Sequence, residues 1–427
     1  MNNFLTLYGY ELKKIFKRKI ACFTLIIMFL TAVYIIVWPQ LTTTHSWSDE
    51  AGNIMSMTHL EYLKSQKAKT EALNGQIIDD TLLNQVKEAY KNVYREEHYI
   101  QTEEGSGYGY RQTIIETAED EEKSAQEKEA AIRNQETYRP IYDYIKRLTG
   151  FYDAVHAIDA DTLYQARTNN LLKPYQAELL LTEREKEYWT AKDMVIQKPF
   201  TYGYADSWKE ILYTFTYLNL ILLIGISVCL SNMFSEEHQK RTDQLILSSR
   251  YGKTRLYFAK ITAGATFGLL CSVLLFMTTL LSCTALYGVE GSNVIIQIYE
   301  PLCSRGLTMG QAVFFLGGVF IIISILYSIL VMFLSEAAGN GVAVMGIMIS
   351  AMFFSILIQV PYQHRIASQI YNLLPTVILN VQQLWDNRLV IVFGMHFTNY
   401  QAAIILFIIT GILLILKGGR IYRNHQV

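Results

Sequence analysis

A chain of 427 residues with 51% hydrophobic side chains has room for a bundle of membrane helices and one separate polar domain. Its net charge of −1 conceals a division: residues 41–205 hold 19 Lys and Arg against 28 Asp and Glu, whereas the remainder holds 18 against 10. Fourteen of those 18 basic residues fall in three clusters beside apolar runs (Lys13–Lys19, Lys240–Lys260 and Lys417–Arg423), which marks cytoplasmic membrane flanks and argues against nucleic-acid binding.

The first predicted element is a cytoplasmic amphipathic helix over 1–19. Phe4, Leu5, Tyr8, Leu12, Ile15 and Phe16 recur at helical spacing, and Lys13, Lys14, Lys17, Arg18 and Lys19 lie opposite or just beyond. An apolar run, Ile20–Val37, follows and predicts a first membrane helix over 20–38, ending at Trp38-Pro39. A cleaved signal peptide is the competing reading, but the run is long and no small-x-small site follows it, so an uncleaved helix is expected.

Residues 39–206 are too polar to span a membrane and predict a large, acidic, mostly helical extracellular insertion. Leu60, Leu63, Lys67 and Leu73 belong to one helix, and Leu82, Leu83, Val86, Ala89, Tyr90 and Val93 to another, capped by Asp79 or Asp80. Gly105–Tyr110 (GSGYGY) reads as a turn, a charged helix is expected from Gln112 to Arg133, and Tyr138–Leu148 continues helical periodicity. Thr182 and Glu185 form a capping box before the next helix. The tyrosines of this segment, among them Tyr90, Tyr142, Tyr144 and Tyr164, read as helix-packing residues rather than a ligand surface.

Ser207 and Glu210 predict a second capping box opening the second span, 207–232, which delivers the chain to a charged segment at 233–260. Six basic residues there (Lys240, Arg241, Arg250, Lys253, Arg255, Lys260) place it in the cytoplasm. Further spans are expected at 261–286, 311–334, 342–360 and 401–416. A sharp turn at Ser335–Gly341 separates the fourth from the fifth, and 361–400 is an extracellular segment with pieces too short to cross. The tail, 417–427, is basic and cytoplasmic. The expected fold is thus an all-α membrane protein of six transmembrane helices, with a large extracellular insertion between the first two and both termini inside the cell membrane.

Catalytic motifs fail on inspection. GKT at Gly252–Thr254 lacks the first glycine of a phosphate-binding loop, since that position is Leu247. The eight histidines are scattered, with no HExxH; His45 and His59 read as isolated side chains rather than a metal pair, and Glu116–Glu122 as a solvated helix face. The five cysteines (Cys22, Cys229, Cys271, Cys283, Cys303) avoid the acidic segment, so that domain depends on no disulfide. The near absence of ionisable residues inside the spans speaks against ion-coupled transport. No metal, cofactor or catalytic site is expected on this chain.

Phe234, Glu236 or Glu237, Arg241-Thr242, Leu245, Leu247, Ser248-Ser249, Arg250, Arg255 and Lys260 follow one another in an order that resembles the segment after the second span in ABC-2 type transporter permeases. The family glycine before the threonine is replaced by Arg241, and the proline after Ser249 is absent. The basic N-terminal helix, the six spans and Asn372-Leu373-Leu374-Pro375 are similar to the same family. The resemblance implies the membrane subunit of a bacterial exporter for an amphipathic or apolar compound such as a peptide, antibiotic or lipid. Its partners would be a cytoplasmic ABC ATPase, which would carry the ATP and Mg, and a second permease subunit, the same or a paralogue. Glu236, Glu237, Arg241, Thr242, Leu245 and Leu247 would couple to the ATPase, and Gly225, Ser227, Gly346 and Ser350 would permit close approach at the dimer interface. The alternative is a surface receptor or secretion-accessory scaffold of the same topology with no motor.

Overall fold

The computed structural model describes residues 2–424 apart from 49–53, 92, 103–104, 115–124, 151–152, 173–180, 241, 243–247, 249–250, 359 and 393. Its helices fall into two compact units, one built from Met1–Gln40, Glu210–Gly288 and Ala312–Val427, the other from Leu41–Lys209 and Val289–Gln311.

The first unit opens with α1 (Asn2–Lys17), the predicted amphipathic helix, and α2 (Lys19–Thr42), which is apolar on every side. α2 runs four residues beyond the expected stop at Trp38 and carries Pro39 within its last turn. Helices α8 (Asp206–Leu230), α10 (Arg255–Tyr287), α11 (Met309–Ala338) and α14 (Asn399–Asn424) follow, and α9 (Ser235–Gln239) continues α8 after a short turn. Among the described residues five segments are long and apolar enough to cross a membrane: Lys19–Thr42, Asp206–Gln239, Arg255–Tyr287, Met309–Ala338 and Asn399–Asn424. The segment expected at 342–360 is a shorter apolar helix of 17 residues, α12 (Gly341–Leu357), about 26 Å long against a hydrocarbon core of about 30 Å.

Close helix approach accounts for the packing of this unit. A Cβ at Gly225 would collide with the Met28 side chain, one at Gly264 with Met332, and one at Gly268 would lie 2.8 Å from the Ser324 carbonyl oxygen. Ser272 accepts a hydrogen bond from Ser324 at 3.1 Å, and Ser227 meets the Tyr327 hydroxyl at 3.0 Å, so the polar atoms at these crossings are satisfied without water. The turn between α11 and α12 is tighter than expected: α11 runs to Ala338, Gly339 takes φ +61°, and Asn340 caps α12 through the Val342 and Ala343 amides. Within 361–400 the chain forms a short helix, α13 (Arg365–Asn372), and a small hairpin of β5 (Val390–Val392) and β6 (Met395–Phe397).

The second unit is mostly helical, as expected of residues 39–206, but its strands depart from the all-α fold class. It holds α3 (His59–Thr70), α4 (Asp80–Ala89), α5 (Ala125–Thr149), α6 (Ala160–Leu172) and α7 (Glu183–Met194), but also two antiparallel hairpins. β1 (Thr44–Ser48) pairs with β2 (Ile54–Thr58), and β3 (Val93–Thr102) with β4 (Gly105–Ile114). The GSGYGY stretch is therefore strand, not turn: its glycines alternate with Ser and Tyr at the two-residue period of extended backbone. The charged helix expected from Gln112 begins only at Ala125 among the described residues, and Glu116–Glu122 lies outside them. Asp79 caps α4, and Thr182 with Glu185 forms the expected capping box on α7. The box expected at Ser207 and Glu210 does not form, because α8 starts at Asp206 and places Ser207 inside its first turn.

Residues 289–311, between the spans expected at 261–286 and 311–334, belong to the second unit and contribute to its core. Arg167, fully buried, donates to the Pro301 and Cys303 carbonyls and pairs with Asp193, while Arg147 donates to the Tyr299 and Ile298 carbonyls. Tyr90 and Tyr142 stack at 4.0 Å, and Tyr164 accepts from the Phe200 amide while donating to the Ile78 carbonyl, so these tyrosines pack as expected.

Candidate functional site

The charged segment after α8 converges on four other helices of the first unit. Its backbone folds locally: the Met233 amide bonds to the Leu230 carbonyl and the Glu237 amide to that of Phe234, which starts α9 after a single turn. Phe234 and Ser235, whose amides lie at the head of α9 where no intrahelical acceptor exists, donate to the Ser335 hydroxyl on α11 at 3.1 and 3.2 Å. The Phe234 ring is buried against Tyr257 of α10 and Tyr422 of α14, with centroids 5.9 and 5.7 Å away.

Charge completes the joint. Glu237, buried, forms an ion pair with Lys260 of α10 and another with Lys14 of α1 at 3.1 Å. Lys260 is fully buried, and its ammonium lies 4.8 Å from the centroid of the Phe234 ring. Glu236 pairs with Arg18 and, at 2.6 Å, with Lys240; Arg18 also reaches the Asn232 carbonyl. His238 Nε2 lies 3.0 Å from the buried Glu336 carboxylate of α11.

α9 is thereby pinned to α1, α10, α11 and α14 by one aromatic anchor, one hydroxyl and a chain of carboxylates between cations. A displacement of α9 must therefore move several helices together or break a buried ion pair, which costs on the order of 3–5 kcal/mol.

Of the six predicted coupling residues, Glu236 and Glu237 are placed at this joint, and the Thr242 amide bonds to the Glu237 carbonyl at 3.1 Å. Arg241, Leu245 and Leu247 lie outside the described residues. The carboxylates differ in availability, since Glu237 is turned into the bundle whereas Glu236 remains partly open to solvent. Of the four small residues proposed for close approach, Gly225 packs against Met28 and Ser227 is buried against Tyr327 within the chain, whereas Gly346 and Ser350 are exposed on α12.

Lys14, Arg18, Lys260, Ser335 and Glu336 are what sequence reasoning missed. Lys14 and Arg18 read as membrane-flanking charge and Lys260 as the basic head of a span; a lysine six residues into an apolar helix, with two glutamates upstream, was the available signal. Among the described residues no group of three or more His, Cys, Asp or Glu is placed to hold a metal ion. His45 and His59, read as isolated, are in fact stacked, with Nε2 and Nδ1 2.6 Å apart, a hydrogen-bond separation.

Residues 23–381 match a family model described as ABC-2 family transporter protein. No curated protein and no solved structure matches the chain.

Proposed function

The chain belongs to the ABC-2 family of transporter proteins, and from that premise we propose that it is the permease subunit of an ATP-driven exporter whose motor docks at the α9 joint. The multi-pass membrane character and the transport role come with the family and the five long apolar helices. Direction, substrate and motor belong to the proposal: outward movement of an amphipathic or apolar compound, a peptide, antibiotic or lipid, driven by a separate cytoplasmic ATPase that carries the ATP and Mg. The single observation that supports it best is the mechanical one. A five-residue helix between two long apolar helices is tied by side chains to four others, which suits a lever and has no use in a passive loop.

In this reading six helices cross the membrane, α12 being the fifth crossing, and both termini lie in the cytoplasm with the basic clusters. The second unit is then extracellular. Glu236, half open, together with Arg241, Thr242, Leu245 and Leu247 faces the ATPase, while Glu237 acts inward by holding Lys260 and Lys14. The second permease subunit packs along the exposed α12 face at Gly346 and Ser350, since Gly225 and Ser227 are already engaged within the chain.

Affinity purification of the tagged chain from its native membrane tests the coupling claim. An ABC ATPase is expected to co-purify and to be lost on E236K with R241E, while the E236Q variant, which keeps the shape, retains part of it. Unchanged co-purification in the charge-reversed variant would remove the coupling assignment, and purification of the wild-type chain with no ATPase would favour the motor-less scaffold.

A further inference from the structure

A cavity of about 380 Å³ is lined by Tyr10, Lys13, Lys14, Lys17, Arg18 and Glu236. Four cations thus surround one carboxylate. Lys14 and Arg18 are engaged by Glu237 and Glu236, but Lys13 and Lys17 are exposed and have no carboxylate partner among the described residues. They stand four apart on α1, so their charges repel across one helical turn unless an anion lies between them. Arg18 supplies a second, independent observation: its Nη2 meets Glu236, whereas its Nη1 is buried without a hydrogen-bond partner. A guanidinium presents a fork that suits two oxygens of one anion, and here half of the fork is unused.

We infer that Lys13, Lys17 and Arg18 form a binding site for the phosphate of an anionic phospholipid, whose occupancy competes with Glu236 for Arg18. The apolar surroundings select a lipid over a soluble anion. Leu5 and Tyr10 on α1 are exposed, as are Ile20, Phe23, Ile26 and Ile27 at the head of α2, so apolar side chains flank the cations. A headgroup held by the lysines would lay its acyl chains along that surface. Because Arg18, in the bend between α1 and α2, pairs with Glu236, lipid occupancy loosens one of the two ion pairs that tie the N-terminal segment to α9 and leaves the other, Lys14–Glu237, intact. The assignment does not depend on the chain being an exporter.

The purified full-length chain in neutral detergent tests this, with native mass spectrometry reading bound lipid and thermal unfolding reading stabilisation. Phosphatidylglycerol is expected to be retained and to raise the unfolding midpoint, while phosphatidylcholine does neither. The K13Q/K17Q variant, changed only at exposed positions, should unfold as the wild type does in phosphatidylcholine but retain phosphatidylglycerol roughly 30-fold less, at about fivefold per cation near an anionic headgroup. E236Q, which releases Arg18, should retain it severalfold better. Equal retention by K13Q/K17Q and wild type, or equal retention of phosphatidylcholine, overturns the site. A midpoint shift produced as fully by inorganic phosphate as by phosphatidylglycerol overturns the lipid assignment in favour of a soluble anion. An unchanged E236Q overturns the competition.

Discussion

Glu237→Gln is the sharpest probe of the joint. The substitution keeps volume and hydrogen-bonding capacity but removes the charge that faces Lys260, a side chain with no exposed surface. Lys14, the other partner, is over a third exposed, so water replaces its lost contact at little cost. The loss therefore falls on Lys260, left charged in an apolar helix with the Phe234 ring beside it and the Glu11 carboxylate within electrostatic range but not hydrogen-bonded to it. Breaking a buried pair from one side costs on the order of 3–5 kcal/mol, whereas removing both members costs far less. E237Q is accordingly expected to lower the unfolding midpoint of the detergent-solubilised chain by several degrees, and E237Q/K260M to recover most of that loss. The two single variants and the double close a mutant cycle whose coupling energy reports the pair. If the double variant is as unstable as E237Q, or if E237Q alone is neutral, then Lys260 is not held by Glu237 and the lever argument fails with it.

Two other outcomes follow from the geometry of the fold. Arg167→Met leaves Asp193 with Lys198 as its remaining cation and Cys303 with Gln297 as its remaining donor, strips the buried Pro301 carbonyl of its donor, and should cost about 1–3 kcal/mol, with hydrogen exchange rising first within 289–311; uniform exchange across the second unit would refute the assignment. Gly268→Val drives a side chain onto the Ser324 carbonyl and the Ser328 side chain, and should destabilise by about 1–3 kcal/mol through separation of α10 and α11, whereas Gly318→Val, exposed on α11 with open space around it, should change the unfolding midpoint little.

Local patterns were legible in the sequence because their causes are local. An apolar run of about 20 residues is a span wherever it occurs, and five such runs are the five long helices. Asp79 and Thr182 cap because a short polar side chain beside the first turn finds its own amides. The same logic failed where two readings compete locally: the glycines of GSGYGY signal a turn by composition but a strand by period, and pairing with Val93–Thr102 decided for the strand.

The sequence by itself determined the membrane class, the charge division, the family order of residues from Phe234 to Lys260 and the helical caps. Tertiary structure alone decided what those residues hold. Glu237 meets Lys14 from 223 positions away and Lys260 from 23, and Arg167 reaches Pro301 across 134, distances over which no periodicity or spacing carries information. Chain folding brings such groups together, and burial then makes the pairing obligatory, since a charge removed from water must find its counter-charge or strain the fold. Glu237 and Lys260, which the sequence places in a charged cytoplasmic segment, are therefore, in three dimensions, buried partners.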